Sequence, residues 1–224
     1  LTDEDVRHIA TVLRMKTGDA LLLCDGEGTE YAVKITQLGR TEIKTEITGR
    51  SQRDVRQPRI TLGQGLPKSD KMDLIVQKAT ELGVASIVPL VTERTIVKVK
   101  GEEKRITRWR KIAREAAMQS NRPDIPRVEG IRGFSDFLRT LAPDPFTLFL
   151  LPWEEGTVPV KDVLRRNSEV RNIIVLIGPE GGFSQTEAGL AKDKGFNSVS
   201  LGPNILRTET AAIAVLGMIG YEFC

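Results

Sequence analysis

The stretch Ile173-Ile174-Val175-Leu176-Ile177-Gly178-Pro179-Glu180-Gly181-Gly182-Phe183 decides the fold of the larger part of this chain. Its first five residues form a short, continuous, largely β-branched run, the composition of a strand buried on both faces, and such strands belong to parallel sheets flanked by helices. Glycine follows at once. Gly178, Gly181 and Gly182 free the backbone to turn and let a flat ligand approach, while Pro179 stiffens the turn between them. Ser184 and Glu187 then read as a capping box, so the turn leads into a helix through Leu190 to Lys194 that Gly195 stops.

A second turn repeats the arrangement: Leu201-Gly202-Pro203-Asn204-Ile205-Leu206-Arg207-Thr208-Glu209-Thr210-Ala211, again after an apolar run and before a helical one. In an open parallel sheet, ligands bind where loops leave the carboxyl ends of strands, because helix amino termini and backbone N–H groups converge there. One glycine turn could be only a tight strand-to-helix connection. Two of them, with the loop Pro152-Trp153-Glu154-Glu155-Gly156 leaving the expected strand Phe146 to Leu151, place three loops at one sheet edge. Neither turn has the Gly-Lys-Ser/Thr ending of a nucleotide phosphate loop or the spaced glycines of a dinucleotide fingerprint.

Gly-Pro-Glu-Gly-Gly-Phe followed by Leu-Gly-x-x-Ile-Leu-Arg-Thr-Glu-Thr-Ala resembles the RsmE-type ribosomal RNA methyltransferases of the SPOUT class. The resemblance implies methylation of the ring nitrogen N3 of a uridine in small-subunit (16S) ribosomal RNA, with S-adenosylmethionine as cofactor. It also implies a trefoil knot in the C-terminal segment, a homodimer, and no metal. On the same footing Leu151, Ile177, Gly178, Pro179, Gly181, Gly182, Leu201, Gly202, Ile205, Leu206 and Thr210 are expected around the cofactor, with Arg207 and Glu209 as the catalytic pair. Uridine N3 is a poor nucleophile until it loses its proton, and a fixed cation favours the deprotonated form. Arg207, between the cofactor loop and the last helix, is placed for that, with Glu209 to orient it; a purely structural ion pair is the competing account.

The remaining 172 residues before Ile173 are read around this segment. The chain has 224 residues, 40% hydrophobic and 28% charged, with 33 Lys and Arg against 30 Asp and Glu, so nucleic-acid binding must be argued from where the charge lies. Cys24 and Cys224 are far apart and outside any metal or redox motif, which reads as free thiols in a reducing compartment. No apolar run approaches a membrane span and no leader is evident, so a cytoplasmic protein with no membrane partner is expected.

Thr2 and Asp5 suggest a capping-box start to a helix with Val6, Ile9, Ala10 and Leu13 as one stripe. Strands at Ala20 to Cys24, Tyr31 to Thr36 and Glu42 to Thr48, separated by glycine turns, suggest a small antiparallel barrel. In the resemblance this is a PUA-like RNA-binding domain, residues 1–56, lacking a first strand expected ahead of Leu1. His8, the only histidine, reads as a surface or domain-contact residue, and Arg14 as a phosphate contact or a solvated arginine. Ser51 to Pro58 reads as a linker, and residues 57–224 as the α/β methyltransferase domain with a mostly parallel sheet.

Positive charge concentrates between Arg94 and Arg132, a stretch that includes Lys98, Lys100, Lys104, Arg105, Arg108, Arg110, Lys111 and Arg114. A helix from Thr107 to Ser120 places Glu115 and Gln119 in line with Arg122 at helical spacing. These three match the Glu-Ala-x-x-Gln-Ser-x-Arg stretch of the family, which implies substrate-side residues. The last helix, Thr210 to Tyr221, carries Ala211, Ala212, Ala214 and Gly217 and is expected to be buried at a subunit interface. Two alternatives share these features: a SPOUT enzyme acting on transfer RNA, and a non-catalytic RNA-binding or ribosome-assembly protein that needs the barrel and the basic helix but not the glycine turns.

Overall fold

The structure is a computed structural model that describes residues 3–52, 57–96 and 101–223. It divides into two compact units, one running to residue 54 and including Arg122–Asp124, the other comprising the rest. The Thr2 half of the expected helix cap, the middle of the expected linker, Lys98, Lys100 and Cys224 lie outside the described residues.

In the first unit, helix α1 (Asp3–Arg7) runs into a π-turn (His8–Val12), closed by the Leu13 N–H donating to the His8 carbonyl at 3.0 Å. Val6 and Ile9 are buried, but Leu13 is exposed, contrary to the expected stripe. The cause is the wider turn: adding a residue per hydrogen-bonded ring moves every later side chain out of the 3.6-residue phase. Strands β1 (Ala20–Cys24), β2 (Thr29–Leu38) and β3 (Ile43–Gln52) form an antiparallel sheet in that order. Among the described residues this sheet is open, with β1 and β3 as its edges, so the expected barrel is present only as a three-stranded sheet. Ile47, paired with buried Val33, is exposed because β3 is an edge. Arg122–Asp124 joins this unit through the Gly28 N–H, which donates to the Pro123 carbonyl at 3.3 Å.

The second unit is built on parallel strands β4 (Arg59–Gly65), β5 (Ser86–Val91), β6 (Arg127–Val128), β7 (Arg132–Gly133), β8 (Thr147–Pro152), β9 (Val158–Pro159), β10 (Asn172–Ile177) and β11 (Asn197–Ser200). They are ordered β6-β5-β4-β10-β8-β11-β9, with β7 also on β5, and every pairing is parallel. The run of residues 173–177 lies in the central strand, paired with β4 on one side and β8 on the other. Its residues alternate faces, as strand geometry requires. Ile173, Val175 and Ile177 pack beneath α2 (Lys71–Glu81), α3 (Glu102–Gln119), α5 (Val160–Arg166) and α7 (Thr208–Phe223), while Leu176 packs with α4 (Phe134–Thr140) and α6 (Gln185–Asp193). The result is a three-layer α/β domain.

The capping box forms as the sequence predicts: Ser184 Oγ accepts from the Glu187 N–H at 3.1 Å and the Glu187 carboxylate accepts from the Ser184 N–H at 3.0 Å. Gly195, at φ +90°, ends the helix.

Candidate functional site

The strand order brings the loops after β8, β10 and β11 to one edge of the sheet, where they enclose a cavity of about 470 Å³. That volume suits an organic cofactor. Ile177, Gly178, Pro179, Gly181 and Gly182 form one wall, Leu201, Gly202, Ile205, Leu206 and Arg207 another, and Pro152, Trp153 and Glu154 a third. Three expected residues are not on the lining. Leu151 shares the β8 face of Phe149 and is fully buried in the cluster beneath α4 and α6, so the wall after β8 begins one residue later. Thr210 is exposed on α7, whose helical phase turns Thr208 and Ala211 to the cavity instead. Glu209 points to Lys71.

The turn after β10 is fixed from several sides. The Gly182 N–H donates to the Pro179 carbonyl at 2.9 Å, closing the turn, and Gly182 sits at φ +68°. Gly65 at the end of β4 lies so close that a Cβ there would come within 2.6 Å of Pro179 Cδ. Arg94 Nη1 donates to the Gly181 carbonyl at 2.7 Å, and the Glu93 N–H donates to Glu187 at 2.9 Å. From the other side the Lys68 N–H donates to both Glu180 oxygens, at 3.1 and 3.2 Å.

A buried chain links this turn to the second one. Thr208 Oγ1 donates to the Gly178 carbonyl at 2.6 Å and accepts from Gln64 Nε2 at 2.9 Å; Nε2 also donates to the Gly65 carbonyl at 2.9 Å. Gln64 is 0% exposed and Thr208 5%. Beside it, Lys71 Nζ lies 3.1 Å from Glu180 and 3.3 Å from Glu209 Oε2, the second a close ion pair without hydrogen-bond geometry, since that buried oxygen has no hydrogen-bond partner among the described residues. The hydrogen bond to Glu180, opposed by burial and reinforced by Glu209, raises the Lys71 ammonium above its ordinary value. Burial works against ionised Glu180, but its own backbone N–H, Lys71 and the Lys68 N–H outweigh it and hold the carboxyl below the usual range. Lys71 is therefore a permanent cation and a poor proton acceptor. Gln64 and Lys71 escaped the sequence reading. The signal for Gln64 was a polar residue between two glycines at the end of a buried strand; Lys71 looked like any lysine in a first helical turn.

Arg207 is exposed on the cavity lining; its carbonyl accepts from the Ala211 N–H at 2.8 Å, while its guanidinium has no hydrogen-bond or ion-pair partner among the described residues. The buried Trp153 indole N–H likewise finds no acceptor there. A glycine-walled cavity with an orphaned donor and one uncommitted cation fits a nucleoside-bearing cofactor presented to a base.

The expected RNA residues fare differently. Arg14 (φ +53°), Gln119 and Glu115 are exposed, Glu115 lying 3.8 Å from Lys111. The Arg122 side chain is only 9% exposed and pairs with Asp124 at 2.5 Å, so a phosphate contact would have to displace that carboxylate. Much of the basic stretch also has structural duties: Arg94 on Gly181, Arg108 on Asp73, and Arg110 on the Val128 carbonyl. His8 is exposed in the first unit. Among the described residues no cluster of His, Cys, Asp or Glu could hold a metal ion, and no helix is long and apolar enough to cross a membrane.

Comparison with known proteins gives the same picture. Residues 54–220 match the RNA methyltransferase domain family and residues 1–48 the RNA methyltransferase PUA domain family. Ribosomal RNA small subunit methyltransferase E of Bacillus subtilis is 31% identical over 99% of this chain and 89% of its own length. The Aquifex aeolicus protein of the same name is 37% identical over 86% and 82%. Among solved structures, ribosomal RNA small subunit methyltransferase E from Neisseria gonorrhoeae bound to S-adenosyl methionine superposes with a TM-score of 0.87 at 33% identity, covering 99% of this chain and 90% of that one. A putative methyltransferase from Legionella pneumophila, in complex with the same cofactor, gives 0.84 at 32%, covering 99% and 90%.

Proposed function

The chain belongs to the RNA methyltransferase domain family, and from that premise we propose that it methylates N3 of a uridine in small-subunit ribosomal RNA, using S-adenosylmethionine held in the cavity between the two glycine turns. The observation that carries the reading is that cavity: its walls are the two motif turns, at the carboxyl edge of the parallel sheet. When bound, S-adenosylmethionine supplies an electrophilic methyl group on a sulfonium centre. The protein's part is positioning and electrostatics. Ile177, Leu201 and Leu206 provide apolar walls, and the glycines allow close backbone approach. Arg207, whose guanidinium is on the lining and without a partner among the described residues, favours the deprotonated uridine and so prepares the nucleophile. Glu209 does not orient it in this reading, since its partner is Lys71.

The proposal extends to RNA contacts by Arg14 in the first unit and by Glu115 and Gln119 on α3, to the trefoil knot, to a homodimer, and to work in the cytoplasm. The tight approach of Gly65 to Pro179 supports interleaving of β4 with the turn after β10. Exposed Met218 and Tyr221 support a second copy as cover for the outer face of α7. A monomeric mass with full activity would remove the dimer.

Small ribosomal subunits and free 16S RNA lacking the modification, incubated with the protein and cofactor, should gain one 3-methyluridine by nuclease digestion and mass spectrometry. Transfer RNA should gain none. Cofactor at 100 times its Kd should add about 2.7 kcal/mol of stability; no stabilisation and no methyl transfer would overturn the assignment.

A further inference from the structure

Of the charged groups on the cavity lining, Arg207 and Glu154 project without a partner among the described residues, whereas Lys71 is committed on two sides. Lys71 begins α2, a helix that contributes no other residue to the lining. Its two carboxylates come from different elements: Glu180 from the turn after β10, on the lining, and Glu209 from the first turn of α7, off the lining but next to Thr208, which is on it. Glu180 is held in turn by the Lys68 N–H, two residues before α2's N-cap. We propose that Lys71 is a positioning residue for the cofactor: by bridging Glu180 and Glu209 it sets the spacing of the two walls, so that the seat exists before the cofactor arrives. The inference rests on the reading of this cavity as the S-adenosylmethionine site.

A lone ion pair between groups exposed by 31%, 29% and 15% would contribute little, because water screens it. The arrangement here differs in that one ammonium ties two separate elements, and one of them is already anchored to the lysine's own helix entry. A preformed seat binds more tightly because less ordering is left to do on binding.

The charge count makes the proposal testable by sign. One ammonium and two carboxylates leave a net negative cluster beside the cavity, and the cofactor's sulfonium is a cation. If Lys71 acted only through its field, removing it would leave the carboxylates uncompensated and strengthen cofactor binding. If it sets the spacing, removing it weakens binding, since two like-charged carboxylates then drive the walls apart. Protonating the carboxylates relieves that repulsion and also undoes the parent's bridge, so parent and variant converge as the pH falls.

Calorimetric titration with S-adenosylmethionine of the parent, Lys71→Met and Lys71→Arg, at several pH values between about 4 and 8, decides the matter. Lys71→Met is expected to weaken binding about tenfold at neutral pH, a deficit that shrinks as the pH falls toward about 4, while Lys71→Arg, which can still bridge, stays within about threefold of the parent. Binding by Lys71→Met equal to or tighter than the parent at neutral pH overturns the proposal, as does a deficit that is the same at every pH. Should Lys71→Met fail to fold, Glu209→Gln carries the test: it keeps the shape, cuts one tie, and must weaken binding several-fold. Unchanged affinity there overturns the proposal equally. If the parent itself does not bind, the functional reading fails; if the parent binds and the variants match it, only this inference does.

Discussion

Thr208→Val tests whether the two glycine turns are held together by the buried hydroxyl. Valine has nearly the shape of threonine, so the change deletes a donor and acceptor without opening a cavity. Two bonds go: the one to the Gly178 carbonyl at 2.6 Å and the one from Gln64 Nε2 at 2.9 Å. Gln64 keeps its bond to the Gly65 carbonyl, so the group left without this partner is the Gly178 carbonyl. A buried group stripped of its partner costs about 1–3 kcal/mol, and the lost Gln64 bond about 1 more, so a total of about 2–4 kcal/mol is expected. For a domain of this size that is a fall in Tm of about 4–16 °C. Gln64→Leu should be milder: it forfeits two bonds but also removes Gln64 Oε1, a buried acceptor with no partner among the described residues. Because the Gln64–Thr208 bond is lost in both single variants, the double variant should be less destabilised than their sum by about 1 kcal/mol. Urea melts with an unchanged m-value measure all three. Additivity within about 0.5 kcal/mol would refute the linkage, and a cost for Thr208→Val below that figure would refute the account of the hydroxyl.

Arg207→Ala should leave cofactor affinity nearly intact and lower the single-turnover rate, with the deficit shrinking as pH rises and the substrate base deprotonates unaided; parallel pH profiles would assign Arg207 a structural role. Gly182→Val should abolish cofactor binding with helix content retained, through the backbone, since φ +68° suits glycine and the Cβ position itself is open; unchanged affinity by calorimetry would disprove the reading. Asp25 is held below the usual carboxylate range first by the Glu27 N–H and then by Thr29, and Asp144 by the Thr147 hydroxyl and then the Phe146 N–H. Depressed folded-state values mean the unfolded chain binds protons first, so this stability is present above about pH 4 and is lost as pH falls through the folded values. Asp144→Asn should accordingly flatten the acid limb of the stability curve; an unchanged limb would show that the carboxylate does not contribute.

The parallel sheet was legible because its evidence is local: Ile173 to Ile177 names its own burial, and Ser184 with Glu187 names its own helix start. The site was half legible for the same reason. Turns whose backbone must take special conformations advertise themselves through glycine and proline, so most of two walls could be read. What could not be read is which side chain of a strand end turns inward, as Leu151 shows, or where a helix is in phase, as Thr210 against Thr208 shows. Long-range partners left no local trace. Gln64 meets Thr208 144 positions away and Lys68 meets Glu180 112 positions away, contacts set by strand order alone.

The same distinction bears on where the chemistry is placed. Glu209 looked like Arg207's partner because the two are neighbours in sequence, but two positions along a helix point in different directions. The geometry separates them: Glu209, off the lining, joins Lys71, while the Arg207 guanidinium, on the lining, is uncommitted among the described residues. A cation already satisfied by two carboxylates gives little field to a developing anion, whereas a free one changes its interaction as the substrate's charge develops, and only that change accelerates the step. Lys71 and Arg207 therefore divide the work, one holding the cofactor's seat and the other acting on the base. Loss of Lys71 should appear in cofactor affinity and loss of Arg207 in the rate of methyl transfer.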